Sequence, residues 1–107
     1  MNISKADAVA LLGKWHDAGT QVRAIYETVT GHLSIVGEIT ELSQAAINIT
    51  GSACEMRLYF RETSKFDYKD PRQAFTEAVK QRVNKYPTVI QAKFINGDRV
   101  EITEFFS

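Results

Sequence analysis

The chain has 107 residues, 44% of them hydrophobic and 24% charged, with 13 basic and 13 acidic side chains. This is the make-up of one globular domain with enough core to need no metal or disulfide scaffold. The single cysteine, Cys54, excludes an intrachain bridge and a thiolate zinc site and points to a reducing compartment. No run reaches the ~20 apolar residues of a membrane span, and no basic segment precedes an apolar signal core, so a cytoplasmic protein with no membrane partner is expected. The balanced charge excludes a histone-like nucleic-acid binder.

The first element is a helix from Ser4 to Ala18. Ser4-Lys5-Ala6-Asp7 is a capping-box-like start, Ala8, Leu11, Leu12 and Trp15 form one apolar stripe, and Gly19 supplies a left-handed stop. From Gln21 the period changes to two. A strand over 21–28 is followed by a turn at Thr30-Gly31. A second strand puts Leu33, Ile35, Gly37 and Ile39 on one side, and Gly37 marks a sharp bend or a close backbone approach. Leu42-Ser43-Gln44 turns into a third strand, Ala45 to Thr50, and Gly51-Ser52 turns into a fourth, Cys54 to Arg61. There Cys54, Met56, Leu58 and Phe60 alternate with Glu55, Arg57, Tyr59 and Arg61. Four short, evenly spaced strands suggest a meander closing toward a barrel.

The polar stretch Glu62 to Lys69 reads as a segment crossing that barrel. Asp70-Pro71 then starts a second helix, with aspartate as cap and proline at the first helical position. Phe75, Ala78, Val79, Val83 and Tyr86 form its stripe, and Pro87 ends it. A final hairpin, Val89 to Ile95 and Arg99 to Phe106, turns at Asn96-Gly97, which suits a two-residue type I′ turn. The expected fold is α+β: a small curled antiparallel sheet or partly open barrel of about six strands with two helices, in the order α-β-β-β-β-α-β-β, as one domain. The expected core is Leu11, Leu12, Trp15, Leu33, Ile35, Ile39, Ile47, Ile49, Met56, Leu58, Phe60, Phe75, Val79 and Val83.

Two families share features with the middle of the chain. Gly37, Ile39, Leu42, Ala46, Ile47 and Ile49, with Ser43 in the place of an aspartate, resemble the first motif of Sm-like proteins. That resemblance spans residues 5–61 and implies a small barrel and RNA as ligand, although the second Sm motif is not recognisable. The stretch Glu41 to Ile49 also resembles the Asp-x-Ser-x-x-Gly motif of PilZ domains, barrels that bind cyclic dinucleotides. Here Glu41 replaces the aspartate, Ala46 replaces the glycine, and the Arg-x-x-x-Arg pair, Arg57 and Arg61, follows the motif instead of preceding it. The chain as a whole, with Phe66 to Arg72 before the second helix, resembles small bacterial α+β proteins that carry no assigned activity.

No catalytic constellation is present. His16 and His32 sit in different elements without a linked nucleophile or carboxylate pair and read as surface or packing residues. No Walker loop, dinucleotide fingerprint or zincin helix occurs, and Cys54 falls by period on the apolar face, where thiols are inert. No enzyme activity, metal or cofactor is expected.

Charge is unevenly spread: residues 1–56 carry a net −3, 57–85 a net +4 and 86–107 a net −1. Within the basic part, Arg57, Tyr59 and Arg61 share one strand face, while Tyr68, Lys69 and Arg72 lie close in sequence. Guanidinium groups beside exposed rings suit single-stranded nucleic acid or a nucleotide, since charge follows phosphate while rings stack on bases. The same alternation is also the ordinary solvated face of an antiparallel sheet. The reading is therefore a non-enzymatic binding or interaction module. Its alternatives are a nucleotide or nucleic-acid binder using these six residues and a homo-oligomer assembled through the C-terminal hairpin, whose two faces are both partly apolar.

Overall fold

The computed structural model describes residues 1–70 and 88–105. The first surprise in it is the number of strands. One antiparallel sheet contains β1 (Asn2–Ile3), β2 (Gln21–Glu27), β3 (His32–Leu42), β4 (Ala46–Gly51), β5 (Glu55–Tyr59), β6 (Thr63–Lys69), β7 (Val89–Phe94) and β8 (Arg99–Glu104). Its order is β1-β6-β7-β8-β2-β3-β4-β5. One helix, α1 (Lys5–Ala18), lies among the described residues. Six strands with two helices is thus corrected to eight strands and one described helix. The expected second helix, its stripe residues Phe75, Val79 and Val83, and the candidate Arg72 fall outside the described residues.

The helix forms for the reasons its sequence gives. The Ser4 side chain accepts from the Asp7 N–H at 3.1 Å, Asp7 lies in the first turn, and Gly19 closes the helix at φ 65°. Ala8, Leu12 and Trp15 are buried, and α1 packs against β3 and β6. Leu12 meets Val22, Ile47, Ile49, Ile90 and Val100 in one core, and each such fully buried side chain contributes about 1.5–3 kcal/mol.

The two added strands have distinct causes. The mostly polar composition of β6 predicts a crossing segment, yet Phe66 and Tyr68 alternate with Lys65, Asp67 and Lys69. Phe66 is buried edge-on to Phe60, with ring centroids 5.8 Å apart, while β7 and β1 flank the strand on either side. β1 is a two-residue pairing onto that edge, in register with Phe66 and Asp67. Along the sheet order every neighbouring pair is antiparallel, so β5 and β6 run in the same sense. Between them lies only a 3₁₀ turn, Phe60–Glu62. The chain does not reverse there. It bends and exchanges one neighbour, β4, for another, β7, so consecutive strands serve opposite ends of the sheet order.

Smaller corrections follow from local geometry. The hairpin turn is a three-residue loop, Ile95–Gly97, closed by the Phe94 N–H donating to the Asp98 carbonyl at 2.8 Å; only Gly97 has positive φ, 95°. Asn96 stays at negative φ and its amide oxygen accepts from the Asp98 N–H, so the turn is not type I′. The hairpin is also interior to the sheet. β8 lies between β7 and β2, and β7 between β6 and β8, so the exposed final strand expected as a pairing edge is absent. Leu33, expected in the core, is 64% exposed, because β3 begins beyond the end of the packed interior. Leu11 is only half-buried. Cys54 is exposed in the turn before β5 and does not share the buried face of Met56 and Leu58. No helix among the described residues is long and apolar enough to cross a membrane.

Candidate functional site

The curled sheet has a filled end and an open one. Leu42, at one end of the 11-residue β3, is packed against the core beside α1, and Leu33, at the other end, is left in the open. Around Leu33 is a cleft of about 580 Å³. Its floor is the inward face of the sheet: Tyr26, Leu33, Met56, Leu58 and Phe94. Its rim is Arg57, Tyr59 and Glu62 from β5 and the bend, with Ile95 and Asn96 from the hairpin loop. The cleft exists because β5 has no neighbour opposite β4, and the hairpin ends before reaching it. Exposed Leu33, Tyr59 and Ile95, at 64%, 47% and 70%, gather around this one opening.

Period two on β5 carries Met56 and Leu58 inward and Glu55, Arg57 and Tyr59 outward. The Arg57 and Arg61 guanidinium carbons lie 5.6 Å and 5.7 Å from the Tyr59 ring centroid, within cation–π range. Each has a carboxylate beside it, Glu41 at 2.9 Å from Arg57 and Glu62 at 3.4 Å from Arg61. The hydrogen bond to Glu41 raises the Arg57 pKa above its ordinary value. These pairs are exposed and yield readily to a competing anion.

At the back of the cleft the Tyr26 hydroxyl donates to Asp98 at 2.7 Å, and the Tyr26 ring lies 5.5 Å from that of Phe94. Burial, aided by that hydrogen bond and the Asp98 charge, pushes the Tyr26 phenol up to about 12. The group is therefore a neutral donor and not a base at neutral pH. Behind β5, buried Asn48 donates to Thr40, Thr50 and Glu55 at 3.0, 3.2 and 3.3 Å, which stiffens the strand that carries the rim.

The six candidate residues are not one site. Arg57, Tyr59 and Arg61 are together. Tyr68 and Lys69 lie at the far end of β6, roughly 17 Å of extended chain beyond its first residue. Tyr68 packs against the core there, and its main chain pairs with Met1. Lys69 is exposed. Sequence reasoning missed Tyr26, Leu33, Phe94, Ile95 and Asn96 as site residues. Ile95 reads as the last strand residue by sequence, and only the three-residue loop of the structure turns it out to the cleft.

Among the described residues no group of three or more His, Cys, Asp and Glu side chains could hold a metal. Comparison with family models, with curated proteins and with solved structures found no match to the chain. The cleft itself therefore carries the functional reading.

Proposed function

We propose that the protein is a non-enzymatic, cytoplasmic binding module that takes a small molecule with a flat apolar body and an anionic group, a nucleotide being one member of that class. The observation that carries this reading is the adjacency of an apolar floor of Leu33, Met56, Leu58 and Phe94 to a rim bearing Arg57 and Tyr59, with Arg61 against the Tyr59 ring. Such a concave, mostly apolar site with a few convergent polar groups is the ordinary form of a small-ligand pocket. The body fits the floor, the anion draws a guanidinium from its carboxylate, and Tyr26 offers a neutral hydroxyl at the back.

Anilinonaphthalene sulfonate, an aromatic anion of this shape, provides the test. Saturable micromolar fluorescence enhancement is expected, competed by mononucleotides and weakened at least tenfold by Leu33→Asp. A salt series separates this mode from single-stranded nucleic acid, whose many phosphate contacts impose a steep salt dependence. Absence of saturable binding, or equal binding by L33D, overturns the reading.

A further inference from the structure

A sheet edge presents unpaired N–H and C=O groups that accept any extended chain laid alongside, and proteins blunt such edges with short strands, proline, lysine or bulges. Among the described residues the two edges of this sheet are unlike. β1 ends it with two residues. β5 ends it with five, Glu-Met-Arg-Leu-Tyr, in unbroken register with β4 and containing neither proline nor lysine. The Phe60 N–H donates to the Ala45 carbonyl and the Gly51 N–H to the Cys54 carbonyl, so the even-numbered residues bond to β4. By the antiparallel alternation, the main-chain groups of Glu55, Arg57 and Tyr59 point to the open side.

We propose that a second copy of this chain pairs along this edge, β5 against β5, about a two-fold axis at Met56. The register follows by elimination. Outward groups meet only when odd-numbered residues face odd-numbered residues. Centring on Glu55 sets Glu55 opposite itself, and centring on Arg57 does the same with two guanidiniums. Centring on Leu58 sets Arg57 opposite Tyr59, and its one opposite-charge pair, Glu55 with Arg61, falls where the chain has already left strand geometry for the 3₁₀ turn. Centring on Met56 alone sets Glu55 opposite the second copy's Arg57 and Arg57 opposite its Glu55, two opposite-charge pairs on one exposed face. Opposite Tyr59 it sets only Ala53, a small residue of the turn before the strand, and both charge pairs lie within β5 itself. The edge is self-complementary in one register, as a symmetric pair requires. This pairing is argued from main-chain groups and charge pairs and not from the ligand proposed for the cleft, although Arg57 and Tyr59 belong to both surfaces.

Light scattering on the intact chain across a concentration series is expected to give twice the chain mass. Arg57→Glu and Glu55→Arg each oppose like charges twice, and each should weaken association at least tenfold. Mixing the two variants brings opposite charges together again and should restore a mixed pair, as should the double variant E55R/R57E by itself. Circular dichroism confirms that each variant is folded. A wild-type chain that stays at single mass at several hundred micromolar, single variants that associate like wild type, or a mixture that remains unassociated would each overturn the proposal.

Discussion

Gly37 and Gly51 face each other across β3 and β4, and neither position has room for a side chain. A methyl group at Gly37 would run into the Thr50 carbonyl, and one at Gly51 would sit 2.8 Å from the Val36 carbonyl oxygen. The atoms met are main chain, which cannot swing aside. Gly37→Ala should therefore cost at least about 3 kcal/mol, the upper part of the overpacking range, read as a lowered denaturation midpoint. Loss of less than about 1 kcal/mol would mean that the two strands part easily.

Gly13 predicts the opposite sign. It lies in the interior of α1 at ordinary negative φ, and a methyl group there meets only the Leu42 side chain at 3.8 Å, normal van der Waals contact. Gly13→Ala should stabilise the protein by about 0.5–1 kcal/mol through helix propensity and the lost freedom of the unfolded chain. A thermal melt decides between gain and loss.

Ser4 supplies the side-chain cap of the same helix, since its oxygen accepts from the Asp7 N–H. Ser4→Ala should cost about 1 kcal/mol, and Ser4→Asp should be nearly neutral. Equal loss in both variants would show that the cap bond does not matter.

Tyr26 gives a pH dependence with a definite sign. Its phenol is raised from 10.0 to about 12 in the folded protein, so between these values the folded state holds a proton that the unfolded state releases. The stabilisation is fully present below pH ~10 and is lost as pH rises toward 12. Phenolate absorbance should show a late step near pH 12 that Tyr26→Phe removes, and the alkaline decline in stability should be shallower in that variant. A late step unchanged in Y26F would assign it elsewhere.

Tyr59 separates binding from folding. The ring is 47% exposed, so Tyr59→Ala should leave the melting temperature nearly unchanged while removing a contact worth about 1–3 kcal/mol to a stacked aromatic ligand. A large drop in melting temperature would instead make the ring a structural residue.

How much of this could be read from residues alone varied with the distance over which each feature is decided. The helix was legible because Ser4, the Ala8–Leu12–Trp15 stripe and Gly19 are local signals. The strands from Gln21 to Tyr59 were legible from alternation and turn residues, and the close main-chain approach from Gly37, whereas the register shift between Ile39 and Glu41 left no such mark. The pairing of β8 with β2 joins residues some seventy-five positions apart, and no local pattern records it. β6 hid because its alternation is short and its outward residues are charged. The same distance limit applied to the site. The Arg57–Tyr59–Arg61 cluster was visible on one strand, whereas Leu33, Phe94 and Ile95 become its neighbours only when the hairpin stops short of β5.

Under the proposed β5 pairing, the unequal edges also decide how far association can go. A molecule with two usable edges can add copies at both ends and grow without limit, which is the geometry of a filament. A molecule whose other described edge is two residues long has one place to pair, and pairing about a two-fold axis consumes it on both copies. Lengthening β1 by a few extended residues would remove that stop. On that pairing, the brevity of Asn2–Ile3 is what would keep the sheet from growing past two copies.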